Sequence, residues 1–180
     1  EVSMALREVW AWLEGQGLIF PDIGSEHTGA KRLSRRARKF ENEAAFANYA
    51  AARRLPREAL HPAIAKQTWS SFMRGEYDTA VFQATKAVEV AVREAAGYGH
   101  NDYGVDMVRR AFNVDSGPLT DRTKTKSERE ATMALFAGAI GSFKNPQSHR
   151  NVSLENPAEA AEIVMFASYL LRVVDGAKAQ

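Results

Sequence analysis

The sequence predicts an all-α protein: an antiparallel helical bundle over residues 58–176, preceded by a smaller N-terminal unit over residues 1–55. Three observations lead there. Apolar side chains recur at steps of three and four along most of the chain, the period of an amphipathic helix. Glycine and proline fall between those segments rather than inside them. Short runs of β-type residues are scarce, with only Leu18, Ile19 and Phe20 forming one, as an arm of a small wing.

Residues 4–18 open with Leu6, Val9, Trp10 and Leu13 at helical spacing, and Gly15 and Gly17 end the run. Pro21, Asp22, Gly24 and Gly29 mark residues 18–29 as turns. A helix is expected to restart near Ala30 and to pass through Leu33, Ala37, Phe40, Ala44 and Ala47 toward Arg54, before Pro56 breaks it. The bundle begins with residues 61–74, where Pro62 occupies a first-turn position that tolerates proline. Residues 77–96 are the cleanest amphipathic segment, with Tyr77, Val81, Ala84, Val88, Ala91, Val92 and Ala95 on one stripe. A short helix over 105–112 and a polar loop over 113–127 follow. Residues 128–143 carry Met133, Phe136, Ile140 and Phe143 on one face, and residues 157–174 carry Ile163, Phe166, Ala167, Leu170, Leu171 and Val174.

The 180 residues are enough for one sizeable core or for a domain with a small appendage. No uninterrupted apolar run reaches the ~18 residues of a membrane span, and no signal peptide opens the chain. It starts at Glu1 rather than Met, as a processed or trimmed piece of a longer protein would. There are no cysteines, hence no disulfide framework or thiolate metal site, which fits a cytoplasmic protein. Phosphate-binding and dinucleotide glycine loops are missing, and so is a serine-hydrolase elbow. The four histidines show no zinc-ligand spacing. Any enzyme activity is therefore expected to work without metal or cofactor.

Net charge is only +2, yet Lys31, Arg32, Arg35, Arg36, Arg38 and Lys39 place six basic side chains within nine residues. Such a run is either a solvated helix start or a contact for a polyanion.

The most informative stretch is residues 143–150, reading FKNPQSHR. Proline pushes the residue before it out of the helical region, so the helix is expected to end at Asn145-Pro146, with Lys144 on its last turn. His149 follows five residues later. A cation beside an imidazole suits phosphodiester cleavage: the histidine moves protons, the cation offsets developing phosphate charge, and Asn145 adds a neutral hydrogen bond. The same residues also read as an ordinary turn, with His149 bonded to backbone and Lys144 favoured by the helix dipole. Spacing alone leaves both readings open.

From about Trp69 to Val174 the ordered pieces FMRGEYDTAVFQATKAVEVAVREA, residues 128–141 (ER, then ATMALFAGAIG), FKNPQSHR and EAAEIVMFASYLLRVVD resemble the Ymh-type family of bacterial proteins, within the HEPN superfamily of helical domains. That resemblance implies a HEPN-like bundle, a homodimer, and metal-independent endoribonuclease activity in antiviral (antiphage) defence or toxin–antitoxin systems. The superfamily motif is an arginine, a polar residue and a histidine four to six residues on. Here it implies Lys144, Asn145 and His149 as the catalytic set, with lysine in the arginine's place. Lysine is a point charge where arginine offers a planar fork, so the substitution weakens the implied grip on phosphate. Arg150 is a candidate substitute contact.

Phe82, Lys86, Glu89 and Arg93 are spaced to share the face opposite the apolar stripe of residues 77–96, either as support for the cleft or as a solvated, ion-paired face. Glu128 and Glu130 suit a helix start, whereas Arg129 has no such reason to be there. Gly138 and Gly141 would be accounted for by close approach of another helix. WAWLEGQGLIFPD and LSRRARKF resemble the end of a winged-helix domain, making the N-terminal unit a winged-helix-like or helical extension. That implies nucleic-acid binding through Lys31, Arg32, Arg35, Arg36, Arg38 and Lys39.

Two function classes stand at this point. One is an endoribonuclease with RNA as substrate. The other is a non-catalytic nucleic-acid-binding or regulatory dimerisation module, with DNA, RNA, an antitoxin or an effector as partner. Neither engages a membrane.

Overall fold

The structure is a computed structural model that describes residues 2–22, 29–52, 54–146 and 154–178. It is mainly helical, and the chain divides into two compact units, residues 1–49 and 50–180. Among the described residues no helix is long and apolar enough to cross a membrane.

The first unit opens with α1, Val2–Gly15. Strands β1 (Ile19–Pro21) and β2 (Lys31–Leu33) then pair antiparallel, with Ile19 opposite Leu33 and Pro21 opposite Lys31. The Ser34 N–H to Leu18 carbonyl and Asp22 N–H to Ala30 carbonyl bonds extend the ladder at both ends. The expected strand at residues 18–20 is thus present. The helix expected from Ala30 to Arg54 is not: its first part is β2, a turn and a single 3-10 turn at Ala37–Lys39, and α2 spans only Glu43–Ala52. Arginine and lysine favour helix locally, but Lys31–Leu33 finds a partner strand ten residues back. Leu18 and Ile19 are buried. Trp12, Phe40, Phe46 and Tyr49 form an aromatic cluster with ring centroids 5.1–6.1 Å apart, edge to face for Trp12–Phe46 and Phe40–Phe46 and tilted for Phe40–Tyr49.

The second unit is the expected bundle. It comprises α3 (Pro62–Ala65), α4 (Gln67–Met73), α5 (Tyr77–Ala95), α6 (Gly104–Ala111), α7 (Lys126–Ala139) and α8 (Pro157–Lys178). A π-helical turn, Ile140–Lys144, continues α7. Residues 61–74 are therefore two helices rather than one. The Lys66 carbonyl at the break accepts both from the Ser70 N–H (3.2 Å) and from the Ser70 hydroxyl (2.8 Å).

Helix α5 is the hub, packing against α4, α8 and the π turn. It buries Val81, Ala84, Val88 and Val92 of the expected stripe, and also Ala80, Thr85 and Glu89. The Thr85 hydroxyl is satisfied by the Val81 carbonyl at 2.8 Å. Phe72, Phe136, Ile64, Ile140, Leu170 and Leu171 fill the space around α5, and Phe112 stacks on Phe136 at 4.3 Å between centroids. Large-to-small changes at such positions typically cost a few kcal/mol, about 3–5 for phenylalanine.

The ends of the bundle are fixed by polar contacts. Thr125 and Glu128 form a reciprocal capping box on α7. His61 caps α3: its Nδ1 accepts from the Ala63 N–H (3.2 Å), so the ring proton lies on Nε2, 2.7 Å from Asp175 Oδ2 on α8. The His61 backbone N–H donates to the Ser168 hydroxyl at 2.8 Å.

Four carboxyls are held below their usual range, chiefly by one side-chain hydrogen bond each: Glu76 by Arg74, Asp102 by Arg110, Glu128 by Thr125 and Asp175 by His61. A carboxyl with a lowered folded-state pKa contributes stability above its unfolded pKa and loses it as pH falls through the folded value. Stability is therefore expected to be level near neutrality and to fall between about pH 5 and about pH 2. Urea unfolding midpoints against pH check this, and Asp175→Asn should flatten the acid limb.

Candidate functional site

Proline does not push Asn145 out of the helical region. Asn145 is helical, at φ −63° and ψ −42°, and helical geometry continues through Pro146. Before the proline α7 changes pitch. Over Ile140–Lys144 the backbone bonds reach five residues back, and the Asn145 N–H donates to the Ile140 carbonyl. The wider turn moves carbonyls away from the proline ring, and proline has no N–H to leave unsatisfied. Gly138 and Gly141 lower the helix propensity of the same stretch. Close approach among the described residues explains neither glycine. A Cβ at Gly141 would make an ordinary 3.5 Å contact with Val105, and one at Gly138 would meet nothing within 4 Å.

The turn fixes its two last side chains differently. Phe143 meets Phe166 of α8 edge to face, with centroids 6.4 Å apart. The Lys144 ammonium lies 3.2 Å from Glu89 Oε2 on α5, with side-chain exposures of 14% and 6%. The other carboxylate oxygen, Glu89 Oε1, accepts the Gly104 N–H at 2.6 Å. Gly104 opens α6 at φ +73°, a conformation that favours glycine, and offers its N–H where the helix dipole favours a negative charge. Glu89 thus joins three elements: its own α5, the start of α6 and the π turn.

The face proposed from spacing is accordingly divided. Glu89 is inside, not on a solvated or cleft-facing side, because α5 is covered by neighbours around much of its circumference. Lys86 is exposed and lies over the Phe82 ring, 5.8 Å from its centroid. Arg93 is half-buried, close enough to Asp102 to help hold that carboxyl low. The structure therefore brings Lys144 to Glu89 but does not gather Lys86 and Arg93 with them. Asn145 is half-buried beside Lys144. His149 and Arg150 lie outside the described residues. A cavity of about 190 Å³ adjoins the turn, walled by Val81, Phe143, Pro146, Leu154, Glu159 and Ile163.

The basic run does not form the continuous helical face expected of it. Lys31 pairs with Glu14, and Arg32 with Asp22 at 2.8 Å. Arg36 sits over Tyr49 (5.9 Å) and donates to its hydroxyl at 3.3 Å. Arg35, Arg38 and Lys39 are exposed. Among the described residues, Lys31 and Arg32 are offset by carboxylates, and the other four charges lie on a turn and a 3-10 segment.

Removing one member of a buried pair strands the other and its hydrogen bonds. Glu89→Ala is expected to lower unfolding stability by about 3 kcal/mol, leaving both the Lys144 ammonium and the Gly104 N–H without it. Lys144→Met should cost less, since Gly104 still serves Glu89. In Glu89→Leu/Lys144→Met part of the loss should return. Urea denaturation of the four proteins forms the cycle.

No curated protein matches the chain, and neither does any solved structure. One family model matches, Hypoth_Ymh, described as a protein of unknown function, over residues 58–174. Those residues take in α3 to α8 nearly whole, with the Glu89–Lys144 pair inside them, and the chain belongs to the Hypoth_Ymh family.

Proposed function

We propose that the chain is a metal-independent endoribonuclease of the HEPN type, serving antiphage defence or a toxin–antitoxin system in the cytoplasm and acting as a homodimer. The observation that supports this reading is the fixed cation at the end of α7. Lys144 is held on the π turn by a carboxylate that is itself held by a backbone N–H. It stands five residues before His149 in the sequence. A positioned cation and an imidazole suffice for transesterification of RNA. The 2′-oxygen attacks phosphorus, the bond from phosphorus to the 5′-oxygen breaks, and a cyclic 2′,3′-phosphate and a 5′-hydroxyl result. His149 takes the 2′-hydroxyl proton or supplies one to the departing oxygen. Lys144 offsets charge on the phosphate oxygens, and Glu89 acts as a positioning residue.

The Glu89–Lys144 pair also favours a second reading. Its carboxylate already offsets much of the charge that phosphate would need, as suits a non-catalytic nucleic-acid-binding or regulatory dimerisation module. Exposed Arg35, Arg38 and Lys39 would then carry the affinity, and a DNA site, an antitoxin or an effector would be the partner.

Incubation of the dimer with total RNA in EDTA separates the two. The nuclease reading expects fragments ending in cyclic phosphate. His149→Ala should slow cleavage by about 10²-fold or more, Lys144→Arg should retain it, and Arg122→Ala, on an exposed loop, should not change it. Intact RNA at high protein concentration rejects that reading. Salt-sensitive binding without cleavage, with a log–log salt slope that falls by about two when Arg35, Arg36 and Arg38 are replaced, decides for the second.

A further inference from the structure

Helix α1 carries apolar side chains that the described residues leave uncovered. Leu6, Val9 and Trp10 are 55%, 53% and 46% exposed. Soluble chains seldom leave large apolar side chains together in water, and such patches mark places where another surface docks. Trp10 is the largest of the three, and tryptophan is among the side chains that most often anchor an interface.

The charges on the helix say what docks there. Ser3, Leu6, Arg7, Trp10, Ala11 and Glu14 line one open groove, at the three- and four-residue steps of a single helical face. Arg7 and Glu14 stand two turns apart on that face, the cation on the N-terminal side of Trp10 and the carboxylate on its C-terminal side. Lys31 pairs with one Glu14 oxygen and so orients the carboxylate, which stays partly exposed. A carboxylate has acceptor positions left on its second oxygen after one such bond.

One register of two α1 helices satisfies the whole face. When they lie antiparallel about a two-fold axis passing between Trp10 and Ala11, Arg7 of each copy comes level with Glu14 of the other, on the same edge. The same axis brings the two Trp10 side chains together on the other edge. Ala11, small and beside the axis, lets the two helices approach. Parallel pairing instead sets Arg7 level with Arg7 and Glu14 level with Glu14. The face therefore complements itself in one direction, as the shared patch of a two-fold interface must.

We propose that α1 docks on α1 of a second copy, antiparallel, with Trp10 beside the axis and two Arg7–Glu14 ion pairs flanking it. The face lies outside residues 58–174, so it stands or falls separately from the nuclease reading. A helix of 14 residues is about 21 Å long, and two such faces fall short of the ~1,200 Å² of a stable stand-alone interface. Association through α1 is thus expected to be weak and to rise with concentration.

The chain has no cysteine, so single introduced ones report the geometry. Under mild oxidation of the full chain, Ala11→Cys should form a disulfide-linked dimer, since both copies of that position lie beside the axis. Ser3→Cys should not, because the antiparallel register sets its two copies roughly 22 Å apart along the helices, whereas parallel pairing sets them level. Ala5→Cys, exposed on the opposite side of α1, measures random collision. Sedimentation over a dilution series reads the energetics. Trp10→Glu should abolish the α1 contribution. Arg7→Glu and Glu14→Lys should each weaken self-association by about fivefold, and an equimolar mixture of the two should restore it. The proposal is overturned if Ala11→Cys cross-links no faster than Ala5→Cys, or if Ser3→Cys matches Ala11→Cys. It is equally overturned if the mixture associates no better than its components. A chain that is monomeric at every concentration, or whose association Trp10→Glu leaves unchanged, as through the bundle alone, rejects it too.

Discussion

Glu89 is the constraint on which the bundle turns. A carboxylate placed among apolar side chains costs several kcal/mol unless its oxygens are matched. Here both are matched, one by the first N–H of α6 and one by the Lys144 ammonium. Each match comes from a different element, so α5, α6 and the end of α7 are held in one relation rather than merely pressed together. Apolar contacts such as Phe112 on Phe136 tolerate small slippage, whereas a 2.6 Å hydrogen bond does not. That rigidity is what the candidate site inherits.

The helices of the bundle were legible because their apolar stripes are local patterns. Ala167, Leu170, Leu171 and Val174 are buried as their spacing implies, and so are Phe136 and Ile140. The role of Glu89 was not legible: its cation lies 55 residues away, and nothing nearby distinguishes it from a solvated charge. The π turn was hidden for a related reason. A residue before proline ordinarily leaves the helical region, whereas Asn145 keeps it after a change of pitch that begins five residues earlier. One signal could have been read. Thr125 and Glu128 have capping-box spacing, which places the start of α7 at Lys126 rather than at Glu128.

In the N-terminal unit the same contrast appears in its charges. Six basic residues in nine look like one feature in the sequence. Folded, they serve several purposes: Lys31 and Arg32 are strand residues paired with Glu14 and Asp22, Arg36 lies on an aromatic ring, and the others face solvent. Helix α1 forms as its spacing implies. Its Leu6, Val9 and Trp10 stripe is exposed although the spacing is regular, because periodicity identifies a helix without guaranteeing a surface that covers it.

The π turn separates two kinds of inheritance. It contains one residue more than an α-helical turn, and the excess is absorbed between Ile140 and Lys144. The packing frame before it, set by Phe136, need not change if that extra residue is lost, and neither need α8. What changes is how Lys144 and the residues after it are presented. A single insertion or deletion can therefore install or withdraw the lysine's arrangement while the bundle persists, so that the scaffold and its chemistry are free to diverge along separate lineages.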